Sequence, residues 1–159
     1  MRMERMTLHQ VAYVRCKKGV CKDGQCSDGC IRCGACIKAC PYDAITLPED
    51  SCAIIDGKKC RNCGRCKEVC PRGVIADRIL EMPFMVACSN KQAGAIARKV
   101  CETSCIGCGN CVRNCPSNAI RLIDHVAEID QNKCLSCGFC VNKCPRKCIV
   151  DFRRLIVRV

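Results

Sequence analysis

The sequence predicts an α+β fold of two tandem modules joined by a strand–helix connector, and three observations carry that prediction. A C-x2-C-x2-C-x3-C-P run occurs four times: Cys30, Cys33, Cys36 and Cys40 before Pro41; Cys60, Cys63, Cys66 and Cys70 before Pro71; Cys105, Cys108, Cys111 and Cys115 before Pro116; and Cys134, Cys137, Cys140 and Cys144 before Pro145. The first cysteines of the runs lie 30 residues apart in the first pair, 29 in the second and 45 between pairs, which groups them two by two. After each proline come two residues, then a short apolar step: Ala44-Ile45, Val74-Ile75, Ala119-Ile120 and Cys148-Ile149.

These repeats divide the chain into an N-terminal cysteine-containing segment (1–26), a first module (27–76), a connector (77–101), a second module (102–152) and a basic C-terminal strand or tail (153–159). Within each module, the stretch from the third to the fourth cysteine suits the first turns of a short helix. The apolar step after the proline reads as a short strand entered from a turn. Ser51-Cys52-Ala53-Ile54-Ile55-Asp56 corresponds to His125-Val126-Ala127-Glu128-Ile129-Asp130, the returning arm of a hairpin. In the connector, Pro83 to Cys88 reads as a buried strand. Lys91 to Val100, with Ala93, Ile96, Ala97 and Val100, fits an amphipathic helix in which Gly94 is the discordant residue.

Composition says what fills the interior. There are 23 cysteines but only two tyrosines, three phenylalanines and no tryptophan. Domains this small compensate for a thin core with metals or disulfides. The N-terminus has no apolar signal region and no stretch reaches membrane-span length, so a reducing, cytoplasmic setting with thiolates used for metal is expected. The formal net charge of +12 counts every cysteine as neutral. Four bound clusters of about −2 each would lower it to roughly +4. The remainder suits an acidic docking partner, and the lack of interleaved aromatics argues against nucleic acid.

A [4Fe–4S] cubane needs four soft thiolates, and two residues between cysteines let a tight loop present three sulfurs to one cluster. This run is the bacterial ferredoxin signature, whose fourth cysteine ligates the other cluster of the pair. Each module is therefore expected to be a bacterial-type 2[4Fe–4S] ferredoxin. Cluster 1 would take Cys30, Cys33, Cys36 and Cys70; cluster 2, Cys60, Cys63, Cys66 and Cys40; cluster 3, Cys105, Cys108, Cys111 and Cys144; cluster 4, Cys134, Cys137, Cys140 and Cys115. No run uses histidine, which argues against zinc ribbons. Tyr42 is placed to shield a cluster from water. His9 and His125 have no neighbours suggesting a catalytic group, no Gly-rich nucleotide loop is present, and no catalytic residue is assigned.

Seven cysteines remain. Cys52 and Cys148 stand where Val126 and Ala44, Val74 or Ala119 stand elsewhere, and read as small buried apolar residues. Cys16, Cys21 and Cys26, with Cys88 or Cys101 from the connector, are candidates for a fifth metal site. The alternatives are independent buried thiols, or Cys26 as an alternate ligand beside Cys30.

Val14-Arg15-Cys16, the run into Cys40-Pro41-Tyr42-Asp43-Ala44-Ile45, Val86-Ala87-Cys88-Ser89-Asn90, Arg98-Lys99-Val100-Cys101 and Gly107-Cys108-Gly109 resemble the ferredoxin region of the B subunit of Rnf-type ferredoxin:NAD oxidoreductase complexes. The resemblance covers roughly residues 11–150. It implies an electron-input subunit, not an enzyme on its own, that takes electrons from ferredoxin and passes them to a flavin- and NAD(P)-binding oxidoreductase. The family's N-terminal membrane helix and following cluster segment have no counterpart here, so a soluble paralogue with no membrane span of its own is expected. A free polyferredoxin shuttle, or the iron–sulfur subunit of a hydrogenase or formate dehydrogenase, would use the same chemistry; a metal-stabilised interaction module would not.

Overall fold

A computed structural model describes residues 8–17 and 26–153 of the chain. Cys21 and the tail beyond residue 153 lie outside the described residues. The elements follow in the order β1 (Gln10–Val14), α1 (Ala35–Ala39), β2 (Ile45–Thr46), β3 (Ile54–Ile55), α2 (Arg65–Glu68), β4 (Ile75–Ile79), β5 (Phe84–Val86), α3 (Gly94–Val100), α4 (Asn110–Arg113), β6 (Ile120–Ile123), β7 (Val126–Ile129), α5 (Phe139–Lys143) and β8 (Ile149–Asp151). Each module thus combines two short helices with strands, as an α+β fold requires.

All the sheets are antiparallel pairs. The hairpins expected from the sequence form as β2–β3 (Ile45 opposite Ile55) and β6–β7 (Ile120 opposite Ile129). Asp124 and His125 turn the second hairpin with φ of 47° and 66°, the left-handed pair of a two-residue turn. The other two sheets recruit strands from outside the cysteine runs. β1 pairs β4 from Gln10–Ile79 to Val14–Ile75, and β5 pairs β8 from Phe84–Asp151 to Val86–Ile149. The N-terminal segment and the connector each supply one edge of a sheet beside a cysteine run.

Two apolar clusters follow from this arrangement. One gathers Ala12, Val14, Ile45, Ile55, Val74 and Ile75; the other gathers Phe84, Val86, Ile120, Val126, Val141 and Ile149. The repeated position after each proline is the most consistent anchor: Ala44, Val74, Ala119 and Cys148 are each 2 % exposed. Between the halves, the Phe152 ring meets Tyr13 edge-on at 6.2 Å, and the Arg78 guanidinium lies 4.1 Å from its centroid. The Phe152 N–H donates to the Pro83 carbonyl at 2.8 Å, and the Ile79 N–H donates to Gln131 Oε1.

Gly94, discordant in a helix, opens α3 where the chain passes the third cysteine run. A Cβ there would sit 2.3 Å from the Ile106 carbonyl oxygen, a backbone atom that cannot swing aside. We expect Gly94→Ala to cost about 1–3 kcal/mol, the usual penalty for overpacking, and to lower the denaturant midpoint of the holo-protein. An unchanged midpoint would mean that α3 shifts freely against the run.

Candidate metal centres

The four runs share one backbone geometry. Each enters the left-handed region at three equivalent places: before the second cysteine (Arg32, Asn62, Gly107, Ser136), after it (Gly34, Gly64, Gly109, Gly138), and two residues after the proline (Asp43, Gly73, Asn118, Lys147), with φ between 47° and 83°. Alternating right- and left-handed residues turn successive N–H groups inward, which makes a concavity for an anion. Asn62 N–H points at Cys60 Sγ and Ser136 N–H at Cys134 Sγ, both at 3.4 Å. Amides in and beside the strands add to this: Ala12 N–H lies 3.4 Å from Cys60 Sγ, Ala127 N–H 3.4 Å from Cys105 Sγ and, just before β6, Ala119 N–H 3.3 Å from Cys115 Sγ. The short helices α1, α2, α4 and α5 start directly after the second glycine position and carry the third cysteine inward.

The thiols meet across runs. Cys30, Cys33 and Cys36 share a cavity of about 420 Å³, open mouth included, with Cys70 of the second run. Cys60, Cys63 and Cys66 share one of about 330 Å³ with Cys40, and Tyr42 stands in its wall. Cys105, Cys108 and Cys111 share another of about 330 Å³ with Cys144. In the fourth set, Cys134 and Cys137 lie close enough to Cys140 to act on its thiol electrostatically, and Cys115 and Cys134 pack against the same apolar cluster. α4 packs on α5 as α1 packs on α2. The walls are apolar, with Val14, Leu47, Ala53 and Val74 around the first set.

Burial, reinforced by neighbouring sulfurs, pushes the Cys66 and Cys111 thiols up to about 11 and Cys140 to about 12. Gathering thiolates in an apolar pocket is therefore unfavourable by itself, and a cationic iron core offsets it. Cys148 is buried in the core as expected, and its Sγ also lies 3.6 Å from Cys144 Sγ. Their hydrogen bond holds the Cys144 thiol down, to about 5. Cys52 donates from Sγ to the Cys16 carbonyl at 2.6 Å, and both leftover thiols are buried. The glycine that follows the second cysteine in every run, Gly34, Gly64, Gly109 and Gly138, was the available signal for the left-handed loops, since glycine adopts positive φ without a steric penalty. A donor set of thiols only, with backbone amides aimed at sulfur, fits iron–sulfur clusters.

Models of the 4Fe-4S dicluster domain match residues 29–74 and 104–148, and again 59–120, while a 4Fe-4S binding domain matches 14–43. The chain belongs to the 4Fe-4S dicluster domain family. It carries that domain in tandem. Among curated relatives, this chain is 40 % identical over 103 residues to the B subunit of the ion-translocating oxidoreductase complex of Methanosarcina acetivorans, covering 65 % of this chain and 39 % of the relative. It is 39 % identical over 102 residues to the B subunit of the Na(+)-translocating ferredoxin:NAD(+) oxidoreductase complex of Acetobacterium woodii (64 % and 31 % covered). The same identity extends over 104 residues of the B subunit of the proton-translocating ferredoxin:NAD(+) oxidoreductase complex of Clostridium ljungdahlii (65 % and 37 %). The chain thus spans between three and four tenths of these relatives' length. A solved formate dehydrogenase, heterodisulfide reductase and formylmethanofuran dehydrogenase complex from Methanospirillum hungatei aligns with 91 % of this chain and 56 % of its own at 19 % identity and a TM-score of 0.28. Among the described residues, no helix is long and apolar enough to cross a membrane.

Proposed function

We propose that this chain relays single electrons through four [4Fe–4S] clusters as part of a cytoplasmic oxidoreductase complex, between a low-potential donor such as ferredoxin and a flavin- and NAD(P)-dependent partner. The observation that carries the reading is the crossed grouping of thiols, three from one run and the fourth from its pair. On this reading Cys30, Cys33, Cys36 and Cys70 hold the first cluster; Cys60, Cys63, Cys66 and Cys40 the second; Cys105, Cys108, Cys111 and Cys144 the third; and Cys134, Cys137, Cys140 and Cys115 the fourth. Bound clusters supply one-electron redox chemistry at low potential. The protein's part is to orient the thiolates, exclude water with apolar walls, and aim amides at sulfur, which favours the reduced, more negative form. Ferredoxin and NAD are the classes in the names of two relatives, and the flavin comes from the family resemblance of the sequence.

The test is reconstitution of the anaerobically purified holo-chain with the flavoprotein that co-purifies with it. We expect the holo-chain alone to turn over no small organic substrate. NADH-linked reduction of ferredoxin by the flavoprotein should fall at least tenfold when the chain is left out. Substrate turnover by the isolated chain, or flavoprotein activity indifferent to it, would overturn the proposal.

A further inference from the structure

We infer that Cys16, Cys26, Cys88 and Cys101 hold a fifth iron–sulfur cluster, set between the two modules. This inference rests on the four-cluster reading. The four cysteines come from three distant stretches: the end of β1, the segment entering the first run, and the two sides of the connector helix α3. They line one cavity of about 280 Å³, open mouth included, close in size to the cavities of the cysteine runs. Asp28 ties the N-terminal side to the connector: its carbonyl accepts from Ser89 Oγ, and its Oδ2 accepts from the Lys91 N–H at 3.2 Å.

Polar groups at the cavity point to an anionic occupant. Asn90 lines it and is only 2 % exposed; its Oδ1 accepts from the Gln92 N–H at 3.0 Å, yet among the described residues its Nδ2 donor has no acceptor. Arg15 also lines the cavity, and its buried Nε lacks an acceptor in the same way. The Cys105 N–H is directed at Cys88 Sγ at 3.3 Å, the amide-to-sulfur contact seen in the runs. Two donors left without acceptors at such a site cost stability unless an anion receives them.

The thiols favour a cluster over a single ion. Among the described residues no three cysteine, histidine or acidic side chains converge tightly enough for one metal ion, and this is as true of the four runs as of this set. Thiols spread round a cavity suit a polynuclear core, which keeps its ligand sulfurs well apart. Position suggests the role. Gly29 and Ser104 line the same cavity, and each directly precedes the first cysteine of a run, Cys30 and Cys105. A one-electron carrier here would stand between the first and third clusters, accepting an electron from one side and releasing it to the other with no bond made or broken.

Anaerobic iron and sulfide analysis of the full holo-chain, with native mass spectrometry, tests this. Four cubanes require about 16 iron atoms and five about 20 per chain. We expect about 20, falling to about 16 in the Cys88→Ser/Cys101→Ser double variant. The wild-type mass decides the matter even if the double variant does not fold. A wild-type count of about 16, with or without one zinc, overturns the fifth cluster and leaves the four-cluster reading standing. A count well below that overturns both.

Discussion

Stripping iron and sulfide from the holo-chain is expected to unfold it. The helices are four to seven residues long, far below the roughly 12–15 at which an isolated helix becomes marginal in water. The sheets are two-stranded pairs, which are marginal on their own. Cys66, Cys111 and Cys140 are buried within the apolar clusters, so removing the metal leaves thiols and voids where the interior should be closed. Metal binding in such small domains is largely folding free energy. Anaerobic treatment with acid or a strong chelator should abolish the amide-exchange protection of β1 and β4 and the far-ultraviolet dichroism together. Native-like protection at zero iron would show that apolar packing alone holds the fold.

The second large effect is a crossed loss. Cys70 belongs to the second run but lines the cavity of Cys30, Cys33 and Cys36. Cys70→Ala should therefore remove or convert the cluster of the first run, and its reduced electron paramagnetic resonance spectrum should match that of Cys33→Ala, not that of Cys63→Ala. Cys40→Ala should behave as the mirror case and match Cys63→Ala. If Cys70→Ala instead matched Cys63→Ala, each run would close on itself.

Much of the fold is legible in the sequence because cluster ligation imposes spacing on the chain. The two hairpins, the connector strand and the helices after the cysteine loops all form where the repeats put them. Less visible is what depends on residues far apart. Gln10 to Val14 carries no cysteine and no strong alternation, so its pairing with Ile75 to Ile79 is decided by the sheet edge that β4 offers, not by local propensity. The Phe152 contact with Tyr13 and Arg78 joins residues that periodicity cannot relate. Cys148 reads as one more small apolar residue because it shares a position with Ala44, Val74 and Ala119; only its approach to Cys144 Sγ reveals a polar role. The leftover cysteines could be named as a group, but choosing Cys88 and Cys101 together required the fold of the connector.

The second cysteine of every run, Cys33, Cys63, Cys108 and Cys137, is solvent-exposed, whereas its companions are buried or half-buried. On the proposed ligand assignment, each centre has its own window on the solvent, and the chain is a conductor with four uninsulated terminals. Which of them meets a redox partner is then decided by the surfaces that cover them. Any terminal left bare is open to small oxidants, so a docked partner acts as both plug and insulation.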